Sequence, residues 1–211
     1  HQIAMTVVQI VMNNVLSHYG ASSVYGSNIP LACAGIITKV NMIFMSFVIG
    51  ISQGIQPVIG FNYGAKQYNR VKKTYLLALA TATFLSLIAF ACFQLFPRQI
   101  IRVFGEGSDL YYQFSERYFR IYMFFTLING IQPVTANFFN SIGKSQLGIF
   151  MSLTRQILFL LPLIVIFPIF MGIDGVMYAG PIADIAAAVV CGVFTIKELR
   201  ELTRLNARQR V

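Results

Sequence analysis

Long apolar runs separated by short polar loops set the pattern of this chain. Runs at about 2–17, 30–63, 74–96, 121–141, 147–170 and 176–196 predict six membrane-spanning helices, since roughly 20 helical residues cross a bilayer core. The runs are too long for barrel strands and do not alternate, so helices are the only way to pair the backbone within lipid. The first run is short, which predicts that the chain begins inside a helix. The second exceeds one crossing, which predicts tilt or a bend near Pro57. Residues 109–120 mix Tyr111, Tyr112, Phe114, Tyr118 and Phe119 with Glu116, Arg117 and Arg120, the pattern of an interfacial helix. The expected fold class is all-α integral membrane: one six-transmembrane-helix bundle over 1–211, with a basic tail at 197–211.

One segment recurs. Gly54-Ile55-Gln56-Pro57-Val58 is repeated letter for letter as Gly130-Ile131-Gln132-Pro133-Val134. After each copy the apolar run ends in Asn, Gly and Lys: Asn62, Gly64 and Lys66 in one, Asn140, Gly143 and Lys144 in the other. Two helices are expected to finish alike, at one membrane face.

Composition supports the membrane assignment. Hydrophobic residues make up 56% of the chain and charged residues 11%, against about 25% charged in soluble domains. Mean hydropathy is +0.68. The net charge of +9 sits mostly at span ends, where lipid phosphates and orientation account for it better than nucleic acid. Lys66, Arg70, Lys72 and Lys73 follow the second span, Lys144 follows the fourth, and the tail carries a net positive charge. The opposite loops sum to zero, plus one and minus one. Six crossings put every basic loop on one side, so the positive-inside rule predicts a multi-pass inner or plasma membrane protein with a cytoplasmic C-terminus. Cys33, Cys92 and Cys191 stand singly in apolar runs, and His1 and His18 are isolated. No metal, nucleotide or nucleophile motif suggests an enzyme or a cofactor.

Polar side chains inside spans are the candidate site, because each is costly in hydrocarbon unless paired. Gln9 and Asn13 share a helix face with Met5 one turn away. The second span carries Lys39, Asn41, Gln53 and Gln56; the fourth carries Asn129, Gln132, Asn137 and Asn140. Together they form either a cavity wall of amides and methionines or helix–helix hydrogen bonds. Lys39 is either a cavity charge or a side chain snorkelling to the outer interface. Asp184 is the only carboxylate well inside a span, and is either a coupling acid or half of a structural pair. Pro57, Pro133, Pro162 and Pro181 are hinges or static kinks.

The segment from Gln53 to Ala65 resembles the signature closing the second helix of each half of a multidrug and toxic compound extrusion (MATE) transporter. Gly143-Lys144-Ser145, Thr154-Arg155-Gln156, Leu161-Pro162-Leu163 and the run from Gly175 to Asp184 are similar to later markers of that half. The resemblance covers nearly the whole chain and implies the C-terminal six-helix lobe of a twelve-helix protein. It further implies an antiporter exporting organic, often cationic, drugs in exchange for H⁺ or Na⁺, with an N-terminal six-helix half as partner. The matching spans 2–17 and 121–141 lack the acids that one branch of the family carries there. The coupling ion is therefore expected to bind mainly in the other half. The alternatives are a lipid-linked oligosaccharide flippase or polysaccharide exporter of the same superfamily, whose cavities are more basic, and a membrane scaffold that moves nothing.

Overall fold

The structure, a computed structural model, describes residues 2–209; His1 and the last two residues of the predicted tail lie outside them. Helices α1 (Gln2–Ala21), α2 (Asn28–Gly64) and α3 (Tyr68–Leu95) come first. Two shorter helices follow, α4 (Pro97–Phe104) and α5 (Asp109–Tyr122), then α6 (Thr126–Asn129) and α7 (Ile131–Ser141). The chain continues through α8 (Ser145–Leu153), a π-helical turn (Thr154–Leu160), α9 (Leu161–Met171) and α10 (Ile173–Arg208). Among the described residues there is no strand.

Among the described residues four helical stretches are long and apolar enough to cross a membrane: Asn28–Gly64, Tyr68–Leu95, Ser145–Met171 and Ile173–Arg208. Only 22% to 44% of the most apolar window of each is buried inside the bundle, leaving outward apolar surface far larger than water tolerates. Helix α10 shows how the two faces divide. Asp184, Ala187, Cys191, Thr195, Glu198 and Leu202 are buried, at spacings of three and four. Ile182, Ile185, Val189, Val193 and Ile196 form the exposed stripe. Helix α10 packs on α1, α3, α5, α7, α9 and the π turn. Gly175, Ala179, Gly180 and Ala183 let those neighbours approach closely.

Three sequence expectations are corrected. The first helix runs on to Ala21 rather than ending at 17, so part of the expected polar loop is helical. The stretch read as a loop after Pro97 is helix α4, with Pro97 in its first turn, where a missing N–H costs nothing. Helix α5, read as an interfacial helix, turns its aromatic face into the bundle. Tyr111, Tyr112, Phe114, Tyr118, Phe119 and Tyr122 are buried in the bundle. Two of its charges are paired with neighbouring segments: Arg98 meets Glu116 (3.6 Å) and Arg117 meets Asp174 (3.2 Å).

The predicted fourth span is also broken twice. Thr126 Oγ1 donates to the Met123 carbonyl at 2.7 Å, a side-chain bond that competes with the helical ladder. Gly130 marks the second break: a Cβ there would stand 3.0 Å from Ser86 Oγ and 3.5 Å from the Ala82 side chain. The break thus lets α3 pack closely. The predicted fifth span is continuous from Ser145 to Met171 but contains the π turn, which no residue pattern announced.

The repeated pentapeptide does lead to matching helix ends. The Gln67 N–H donates to the Asn62 carbonyl (2.8 Å), and the Lys144 N–H donates to the Phe139 carbonyl (2.9 Å). The residue before each donor is left-handed, Lys66 with φ 58° and Gly143 with φ 84°. Both are six-to-one closures of the Schellman type. Helix α2 is continuous through Pro57.

Candidate functional site

Helices α1 and α2, the α6–α7 junction and the π turn surround a concavity of about 320 Å³. Gln2, Met5, Thr38, Asn41, Met42, Met45, Ser46, Asn129, Gln132, Arg155 and Gln156 are on its wall. A smaller recess of about 70 Å³ shares Met5, Thr38, Asn41, Arg155 and Gln156 and adds Gln9, Met12, Tyr118 and Tyr122. The larger volume lies at the low end of sites that enclose a drug-sized molecule. Soft methionines and amides on such a wall can contact varied ligands without fixing one geometry.

Four of the seven predicted wall residues line these spaces: Met5, Gln9, Asn129 and Gln132. Gln9 Nε2 donates to Asn13 Oδ1 at 3.0 Å, and Gln9 Oε1 accepts from Thr38 Oγ1 at 3.4 Å. Asn13 thus sits behind Gln9 on the exposed face of α1 rather than on the wall. Gln56 belongs to a bridge between α2 and α7. Its Nε2 donates to Asn137 Oδ1 (2.9 Å), and Asn137 Nδ2 donates to Ser52 Oγ (2.6 Å). Lys39 is exposed, lines neither space, and has no ion pair among the described residues.

Gln132 reaches the opposite helix. Its Nε2 donates to the carbonyls of Met151 (2.7 Å) and Ser152 (3.0 Å), just ahead of the π turn. The π turn then presents Arg155 and Gln156 to the concavity. Widened turns of this kind recur at functional sites, because the added residue rotates side chains out of helical register.

Arg155 and Asp184 are both buried, and Arg155 Nε donates to Asp184 Oδ1. Asp184 is thus half of a buried ion pair. Tyr122 lines the smaller recess with Arg155, and its ring lies against Gly180, one turn before Asp184. Asn41 Oδ1 is buried with no hydrogen-bond partner among the described residues. An unpaired acceptor on a concave wall can receive a ligand's N–H or O–H, and its own burial is costly until it does.

Residue spacing singled out the amides and Met5 but not Thr38, Met42, Met45, Ser46, Arg155 or Gln156 as wall residues. A signal for Arg155 did exist: it and Asp184 are opposite charges inside neighbouring spans, and buried charges are found paired.

Comparison with known proteins places this geometry. A model of the MatE family matches residues 1–166. A FAD transporter of Shewanella oneidensis is 22% identical over 188 residues, which is 86% of this chain and 38% of that protein. An outward-facing multidrug resistance MATE family transporter of the MOP superfamily superposes with a TM-score of 0.85 at 19% identity, covering 96% of this chain and 44% of that one. A MATE protein in a bent conformation gives 0.86 at 19% identity, covering 98% and 44%. A MOP superfamily transporter of Pyrococcus furiosus, described as having a binding pocket of reversed polarity, gives 0.85 at 18% identity, covering 96% and 44%. The chain thus spans less than half the length of each of these relatives. With a family match over most of its length and a fold shared with its solved members, the chain belongs to the MatE family of multi-pass membrane transporters.

Proposed function

We propose that the chain is one six-crossing lobe of a secondary antiporter, and that the amide and methionine concavity is one wall of its solute path. The second lobe is an N-terminal half of the same kind. The solutes are organic molecules, often cationic drugs, expelled across the inner or plasma membrane in exchange for H⁺ or Na⁺, with the C-terminus cytoplasmic. The observation that carries this reading is the wall itself: methionines and amides around the buried, unpaired Asn41 Oδ1. Among the described residues Arg155 is the only cation on either wall, and Asp184 neutralises it. Among the described residues no free carboxylate lines either space, so charge selection of a cation and ion coupling fall to the other lobe.

A second reading has a specific observation in its favour. Arg155 faces the solute path, and a guanidinium freed from Asp184 could grip a phosphate or carboxylate. A relative is named a FAD transporter, which makes an anionic aromatic solute the alternative. The test is transport by the natural full-length protein in proteoliposomes under an imposed H⁺ or Na⁺ gradient. The first reading expects gradient-driven ethidium movement, lowered by about tenfold when Asn41 is replaced by Leu, the size of one hydrogen bond lost on binding. Movement of FAD with no ethidium transport would favour the second. Unchanged ethidium transport by the Asn41→Leu protein would remove the concavity from the path.

A further inference from the structure

Helix α10 continues past the apolar bundle as a basic extension whose position is fixed by three contacts. Lys144, in the loop between α7 and α8, donates to Glu198 (2.6 Å) and approaches Glu201 (3.5 Å). Lys72 Nζ donates to Thr203 Oγ1 at 3.3 Å. Further in, the Tyr75 hydroxyl lies 3.4 Å from Thr195 Oγ1 and 3.0 Å from Thr135 Oγ1, joining α3, α10 and α7. Glu198 and Leu202 are buried. With that face turned inward, Lys197, Arg200, Arg204 and Arg208 are left outward.

The outward face carries two open clefts. One, of about 280 Å³, is lined by Lys72, Ile196, Leu199, Arg200 and Thr203. The other, of about 620 Å³, is lined by Val193, Ile196, Lys197, Arg200, Glu201, Arg204, Leu205 and Arg208. Arg200 and Ile196 belong to both. Each cleft has an apolar edge, Ile196 and Leu199 in the smaller and Val193 and Ile196 in the larger, beside cationic side chains. Exposed Arg70 and Lys73, on the first turns of α3, add to the same field.

We propose that these clefts, centred on Arg200, bind the headgroup phosphate of an anionic phospholipid. The chemistry matches on both sides. Guanidinium groups bind phosphate oxygens in a planar, two-pronged way. The apolar edge receives the first acyl carbons, as expected of a basic amphipathic surface at a membrane interface. A soluble phosphate would gain nothing from Val193 and Ile196. Glu201 is the one acid lining the larger cleft, and Lys144, 3.5 Å from its carboxylate, offsets its charge.

The experiment uses the natural full-length protein in nanodiscs of phosphatidylcholine with or without phosphatidylglycerol, with retained lipid counted by native mass spectrometry. Phosphatidylglycerol should be retained in preference to phosphatidylcholine. Each removed cation should weaken the preference about fivefold, so Arg200→Gln with Arg204→Gln should lower it about 25-fold. Lys39→Gln, an exposed cation elsewhere, should leave it unchanged, as should inorganic phosphate added at constant ionic strength. Equal retention of the two lipids, an unchanged preference in the double variant, or displacement by inorganic phosphate would each overturn the proposal. If the double variant fails to fold, Arg200→Lys carries the test. It keeps the charge but loses the two-pronged geometry, so it should bind phosphatidylglycerol less well than the parent; identical binding would count against the site.

Discussion

Arg155 of the π turn donates to the carboxylate of Asp184 on α10, and both residues are buried where the bundle meets its concavity. The pair ties the π turn to α10. Removing one partner leaves the other as an uncompensated buried charge. Asp184→Asn should therefore destabilise the lobe by about 3–5 kcal/mol. Replacing both, as Arg155→Met with Asp184→Leu, should recover most of that loss, because two apolar side chains of similar volume need no partner. Thermal unfolding of the detergent-solubilised full-length protein distinguishes the cases. Equal melting of Asp184→Asn and the parent would show that the pair carries no stability.

Gln56 and Gln132 hold the same place in the repeated pentapeptide but differ in partner. Gln56 makes one bond to a side chain across α2 and α7, and Gln132 makes two to backbone carbonyls. Gln132→Leu should cost about 1–2 kcal/mol, because two acceptors lose their donor. Gln56→Leu should cost about 0.6 kcal/mol, the usual worth of a single membrane hydrogen bond. The same melting assay ranks them, and the reverse order would contradict the assigned partners.

Close packing makes a third prediction. A Cβ on Gly175 would lie 2.5 to 2.7 Å from the Phe167–Pro168 backbone, which cannot swing aside. Gly175→Ala should cost about 1–3 kcal/mol or more. At Gly54 nothing lies within 4 Å, so Gly54→Ala should be neutral or stabilise by up to about 1 kcal/mol through helix propensity. Equal effects at the two sites would mean that α9 and α10 are not in this contact.

Lys144 offers a pH test. Burial disfavours its charge, but the hydrogen bond and charge of Glu198, with Glu201 beyond, outweigh this and raise it above the ordinary lysine value of 10.5. A cation held above its ordinary value adds stability that is complete below that value and fades as pH rises through the raised one. Lys144→Met should thus destabilise by about 1–2 kcal/mol at neutral pH, a figure discounted for partial solvent screening. The difference from the parent should shrink above pH 10.5. A gap that stays constant through that range would exclude the ion pair as its cause.

The sequence exposed much of this organisation through hydrophobic length alone. Apolar runs located the long helices, and Pro97 marked a boundary. The repeat foretold that α2 and α7 end alike, which Lys66 and Gly143 then did with the same left-handed turn. Spacing put Met5 and Gln9 on one helix face; Met5 lines both spaces, Gln9 only the smaller and Gln132 only the larger. What it missed depends on contacts distant in the chain. Gln56 looks identical to Gln132 in the pentapeptide, and only the arrival of Asn137 turns it away from the concavity. The aromatics of α5 read as an interfacial belt because nothing local says that α2 and α10 will cover them. The π turn has no composition of its own, so Arg155 was visible as a charge but not as a wall residue.

The union of Arg155 with Asp184 has an electrical consequence. A lone guanidinium carried through the bilayer field would exchange about 2.3 kcal/mol with each 100 mV of membrane voltage it crosses. A cation and an anion moving together sum to nothing, so voltage does no net work on them however far the lobe tilts. Any voltage sensitivity in this protein must then enter through its cargo, its driving ion or charges elsewhere.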